Sequence, residues 1–136
     1  MTVSEAIITW LKTFKPNGLW DMQTINTDVM HSTVDYALVK EPIRNVKRYI
    51  SGTEIITEHY QLRAKLDSTN DTDSVENGAW LEQLTDWVET KNKNKEFPLL
   101  ADVKEVGIAS PFYVGRTEDK KAIYQLTIFI TFRKGN

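Results

Sequence analysis

Hydrophobic and polar positions change their period several times along this chain, and each change predicts an element. Val3, Ile7, Trp10, Leu11 and Phe14 follow helical spacing and share one face. Thr2 stands three residues before Glu5, the pattern of a capping box, and Pro16 with Gly18 predicts the stop. Leu19 to Thr33 has no clean period and leaves a short helix, a short strand or an irregular crossing open.

From Val34 the period becomes two. Val34, Tyr36 and Leu38 predict a strand that Pro42 ends, and Val46 to Ile50 predicts a second short one. Ser51-Gly52 reads as a turn. Beyond it Ile56, Tyr60, Leu62, Ala64 and Leu66 alternate with Thr57, His59, Gln61, Arg63 and Lys65. That alternation predicts a hairpin arm with one dry and one wet side.

Ser68 to Asn77 is polar and acidic and reads as a loop. Trp80, Leu81, Leu84, Trp87 and Val88 form the apolar stripe of a second helix, with Glu82, Gln83, Asp86 and Glu89 facing away. Lys91 to Lys95 supplies positive charge near its C-terminus, where the helix dipole favours it. Asp102 to Ile108 suggests a strand and Pro111 to Lys121 a loop. The final run, Ala122 to Phe132, is the clearest strand: Tyr124, Leu126, Ile128, Ile130 and Phe132 share one face. Ile123 and Phe129 make its other face partly apolar, which suits a central strand or one covered by a partner.

Helix, strands, helix, strands, with no internal repeat and no dividing linker, predict a single α+β domain over residues 1–136. Its expected form is a mostly antiparallel β-sheet with two main amphipathic helices packed against it. The length of 136 residues, with 40% hydrophobic and 26% charged residues, supports one ordinary core. No apolar stretch reaches the roughly 20 residues of a membrane span, and the opening helix lacks the features of a signal peptide. Synthesis in the cytoplasm is therefore expected.

Candidate chemistry is sparse. The chain has no cysteine, which removes disulfides, thiolate catalysis and cysteine-ligated metals. His31 and His59 lie far apart and in no metal-binding spacing. Ser32 adjoins His31, but neighbours on an extended chain point opposite ways and cannot form a nucleophile–base pair. Asp67, Asp71, Asp73 and Glu76 invite a calcium reading, yet Val75 and Glu76 occupy positions where a calcium loop needs a ligand and a glycine. No phosphate-binding glycine loop is present. No catalytic, cofactor-binding or metal residue is therefore expected. The basic groups, including Lys47 with Arg48 and Arg133 with Lys134, are interleaved with acids, and the net charge is -2. A solvated surface explains them better than a nucleic-acid interface, though contact with nucleic acid remains open. Phe112, Tyr113 and Val114 are bulky residues inside a predicted connection. They suit either contact with another chain or folding back over the core.

The chain resembles the tail-terminator and head–tail joining (minor capsid) proteins of long-tailed bacteriophages and prophages. The resemblance rests on ordered landmarks from about Val34 to Phe132: Tyr36-x-Leu38 with Pro42, Tyr49-x-x-Gly52, Tyr60-x-Leu62, and Trp80-Leu81 with Leu84 and Trp87. Phe97-Pro98-x-Leu100 and Ala122-x-Tyr124-Gln125 complete the series. Asp-Gly is common in the family where Ser51-Gly52 stands, leucine where Phe97 stands, and tyrosine near Phe132. The resemblance implies a virion protein without cofactor or catalytic residue, made in the bacterial cytoplasm and assembled as a homo-oligomer, typically a hexameric ring. Its partners would be the major tail protein and head-completion proteins. Phe112, Tyr113, Val114, Ile123 and Phe129 are then the candidate subunit interface. Two other functions stay in view: a cone-shaped α+β domain binding a ligand or acting as an enzyme, and an accessory protein of nucleic acid.

Overall fold

A computed structural model describes residues 2–15, 25–27, 35–67, 71–109, 112–116 and 121–135. Helix α1 (Val3–Leu11) is capped as expected, with the Thr2 hydroxyl accepting from the Glu5 amide at 3.1 Å. The helical stripe then buries Ile7, Trp10 and Leu11, and Phe14 follows it into the core beyond the helix end.

Among the described residues six strands form one sheet: β1 (Ile25–Thr27), β2 (Asp35–Arg48), β3 (Glu54–Asp67), β4 (Val103–Ile108), β5 (Phe112–Arg116) and β6 (Lys121–Lys134). The order is β1-β2-β3-β6-β4, with β5 also on β6. Among the described strand pairs the short β1–β2 pair is parallel and the other four are antiparallel. The α+β class and the mostly antiparallel sheet are therefore present. Strands β2, β3 and β6 each run 14 residues, about 46 Å at roughly 3.3 Å per residue.

Three sequence expectations need correction. Pro42 does not end a strand. The segments on either side of it belong to one strand, β2, whose register shifts between Lys40 and Arg44 so that residues 41–43 oppose His59 alone. Proline removes an amide donor, and β1 pairs only with Tyr36–Leu38, so the described ladder leaves Pro42 on an edge where that donor is dispensable. Phe112 to Val114 is not a loop: β4 and β5 pair successively with β6, like one strand broken between Ile108 and Phe112. The polar run 68–77 is not all loop either, because helix α2 (Asp71–Lys93) starts at Asp71. Acidic residues in a first turn complement the helix dipole, so polar composition there does not forbid a helix. Of the unpatterned stretch 19–33, only the strand Ile25–Thr27 falls within the described residues, and His31 and Ser32 lie outside them.

Even-numbered positions of β3 and β6 face both helices. Tyr60, Leu62 and Ala64, with Leu126, Ile128 and Ile130, form one buried cluster with Ile7, Trp10, Trp80, Leu84 and Val88, and Ile56 on the same face is also buried. Trp80 is fully buried, stacked on Tyr36 at 5.6 Å and edge-on to Phe14 at 6.3 Å. Trp87 bridges the two helices, 4.7 Å from Trp10 and 5.4 Å from Phe14. The Trp10 indole donates to the Glu96 carbonyl at 2.9 Å, fixing α1 to the segment after α2. Asn92 accepts from the Val106 amide at 2.9 Å and seats the end of α2 on β4.

Candidate interaction surface

The odd-numbered positions make the second face of the sheet, and no described element covers it. Thr57, His59, Gln61, Arg63 and Lys65 on β3 stand beside Ile123, Gln125, Thr127, Phe129 and Thr131 on β6, all half-buried by their sheet neighbours. Polar contacts order this face. Thr57 and Thr131 hydroxyls meet at 2.9 Å, Gln61 donates to Glu41 at 3.3 Å, and Arg63 donates to Gln61 at 3.0 Å. The two sequence-predicted residues here, Ile123 and Phe129, therefore do share an open face. Phe129 also has an internal role: its ring lies over Gly107, where any Cβ would overlap it, and 6.5 Å from the His59 ring. Phe112 and Tyr113 on β5 stand opposite Gln125 and Tyr124, and Val114 falls at the register shift that follows, so the sheet brings all three next to β6. Their side chains lie outside the described residues.

On the covered face, one charged residue escaped the periodicity reading. Glu58 falls in register between Ile56 and Tyr60 and is only 4% exposed. The β2 bulge carries its cations. Lys40 reaches its carboxylate at 3.1 Å and Arg44 at 3.3 Å, while both bases remain about half in water (51% and 45% exposed). The signal was legible as a lone acid on an otherwise apolar strand face, since such an acid needs a partner. The Tyr60 hydroxyl donates to Glu58 at 3.3 Å. Burial first, then the adjacent Glu58 charge, pushes the Tyr60 phenol from its ordinary 10.0 up to about 12.

That shift has a defined consequence in alkali. The unfolded tyrosine ionises near pH 10, whereas the folded one resists until about 12, so rising pH favours the unfolded chain across that window. The contribution is intact below pH 10 and falls by about 2 kcal/mol by pH 12. Urea denaturation should show Tyr60→Phe losing that much less stability between pH 9 and pH 12 than the parent chain. Equal losses in both would mean the phenol does not resist ionisation in the fold.

The described large apolar side chains that face solvent gather at one end of the sheet. Tyr49 (46% exposed) and Ile50, which is fully exposed, form the tip of the β2–β3 hairpin, and Leu99 (78% exposed) lies in the segment entering β4. The turn is closed by the Gly52 amide on the Tyr49 carbonyl at 3.0 Å, and Gly52 has φ 91, a conformation that glycine adopts without strain. Basic residues flank the tip. Lys47 lies 5.6 Å from the Tyr49 ring centroid, and Arg48 pairs with Glu54 at 2.7 Å.

The outer face of α2 has the opposite character. Gly78, Leu81, Glu82, Thr85 and Asp86 line an open groove of about 530 Å³. A second depression, about 310 Å³, runs beside Phe14, Lys15, Asp86 and Trp87. Both border the helix exterior. Among the described residues no cluster of three or more His, Asp or Glu side chains has the geometry to hold a metal ion. No described helix is long and apolar enough to cross a membrane. Neither protein-family models nor curated proteins yield a match to this chain.

Proposed function

We propose that this chain is a structural subunit of a phage neck or tail-terminator ring, which caps the tail tube and joins it to the head. The observation that carries the reading is the second face of the sheet. Ile123 and Phe129 stand there only partly buried among ordered polar side chains, a mixture suited to repeated contact with other protein. The ordered landmarks from Val34 to Phe132 supply the kind of assembly. A ring is built from heterologous contacts, in which each subunit offers two different surfaces to its neighbours. The sheet face and the hairpin tip are two such surfaces on one chain. In the particle they would meet further copies, the major tail protein and head-completion proteins.

Removing the gene from a genome that makes such particles tests this reading. The expected result is full heads without tails beside tails of irregular, extended length, because an uncapped tube keeps adding subunits. Supplying the chain in trans should restore joined particles. Normal particles in its absence would overturn the proposal.

A further inference from the structure

We infer that the Tyr49–Ile50 hairpin tip of one copy of this chain docks into the α2 groove of another copy, head to tail. Three independent features meet in this contact. The first is the tip itself. An isoleucine fully in water at the apex of a well-closed turn has no role in its own fold, since turns favour polar residues there. Beside it Tyr49 adds a half-exposed ring of the type that anchors protein interfaces.

The second feature is Gly78. It lies inside helix α2, where glycine costs roughly 1 kcal/mol relative to alanine. A Cβ built on it meets nothing within 4 Å, so no neighbour among the described residues requires the missing side chain. A bare helical position facing open space permits another backbone to approach closely, and Leu81 and Thr85 give that approach an apolar floor one turn and two turns on.

The third is charge. Glu82, Asp86 and Glu89 are exposed along the outer face of α2. At the tip end of the sheet, among the described residues, Arg48 pairs with Glu54 and Arg133 with Asp102, and Lys47 and Lys134 lie beside them in register. A chain with a net charge of -2 thus separates a basic end from an acidic helix face, and the two attract each other across copies.

The contact cannot form within one chain. Helix α2 starts beyond the end of β3 remote from the tip, and its last turn reaches β4 at Val106. Gly78 therefore lies roughly 35 Å along the sheet from Ile50. Tip and groove are different surfaces, so each copy retains one of each, and the contact propagates. The inference rests on the self-assembling reading above but not on where the assembly sits in a particle.

Because the chain has no cysteine, introduced thiols report this contact cleanly. Ser51→Cys, beside the tip, and Thr85→Cys, at the groove edge, leave Ile50 and Gly78 intact; the two variants are purified separately, mixed, and treated with a short bis-maleimide. The mixture should yield the cross-linked pair between positions 51 and 85 at least about tenfold faster than either variant alone yields its own dimer. Carrying both substitutions on one chain should produce a ladder of products or a closed ring. Glu82→Lys together with Asp86→Lys should slow the cross-link about tenfold, as should high salt. Gly78→Ala tested for folding should be as stable as the parent or more so, which separates lost contact from lost fold. Like-with-like cross-linking at the same rate, or a doubly linked product that stops at the dimer, would overturn head-to-tail docking. A ladder from a protein that proves dispensable for particles would leave this contact standing and remove the neck-ring reading instead.

Discussion

Trp80→Ala is expected to lower the stability of the folded chain by about 3–5 kcal/mol, the range for removing a buried large aromatic. Trp80 has no exposed surface and holds the junction between α2, Phe14 and the Tyr36 end of the sheet. The cavity left behind could not close easily, because rigid strands bound it on one side. Domains of this size are stable by only about 5–15 kcal/mol, so the variant would sit near its folding threshold. Trp87→Ala should cost clearly less, since Trp87 is only half-buried and packs on Trp10 and Phe14 at the edge of the core. Urea midpoints measured for both variants check the order. A Trp80→Ala loss below that of Trp87→Ala would place the centre of the core elsewhere.

The second large effect concerns the buried acid. Lys40→Met and Arg44→Met together should cost about 3 kcal/mol, because they leave the Glu58 carboxylate inside the sheet without a cation. Either change alone should cost about 1 kcal/mol, because the remaining base still reaches the same oxygen. The singles therefore sum to less than the double, a coupling that a double-mutant cycle measures directly. Adding Glu58→Leu to the double variant should recover most of the loss, since no buried charge is then left over. Strict additivity would mean that the two bases act separately from Glu58. The bulge at residues 41–43 exists in this account to bring both bases to one carboxylate.

The long elements were legible because their burial is periodic. Alternation from Ile56 to Leu66 and from Tyr124 to Phe132 reflects a sheet with one covered face, and the stripes of both helices reflect the same core from the other side. Legibility ended where local signals and context disagree. Proline usually closes a strand, yet Pro42 passes through β2 because it sits in a bulge at a free edge. Phe112 to Arg116 reads as a connection because Pro111 precedes it and it is short, and only pairing with β6 makes it a strand. Glu58 was hidden by its own minority status on an apolar face. Its partners lie on a different strand across an irregular register, which periodicity cannot see.

The surface was less legible than the core. Ile123 and Phe129 could be placed on one face from alternation, and they occupy it, but nothing in sequence shows that Phe129 spends part of its ring on Gly107. The exposed tip reads in sequence as the end of a strand, Val46 to Ile50, followed by a turn at Ser51-Gly52, whereas β2 ends at Arg48. Ile50 became informative once the fold left it without a neighbour, and Gly78 once the helix left its flank open. Both were ordinary residues until their surroundings were known.

Electron cryomicroscopy of the head–tail junction in particles encoded by the same genome tests the central claim most directly. The account predicts a ring of this fold at the end of the tail tube, with Ile123 and Phe129 covered by neighbouring protein and each Ile50 seated beside a Gly78 of the next copy. A junction resolved without this chain, or the chain present there as an isolated copy with its second sheet face in solvent, would contradict it.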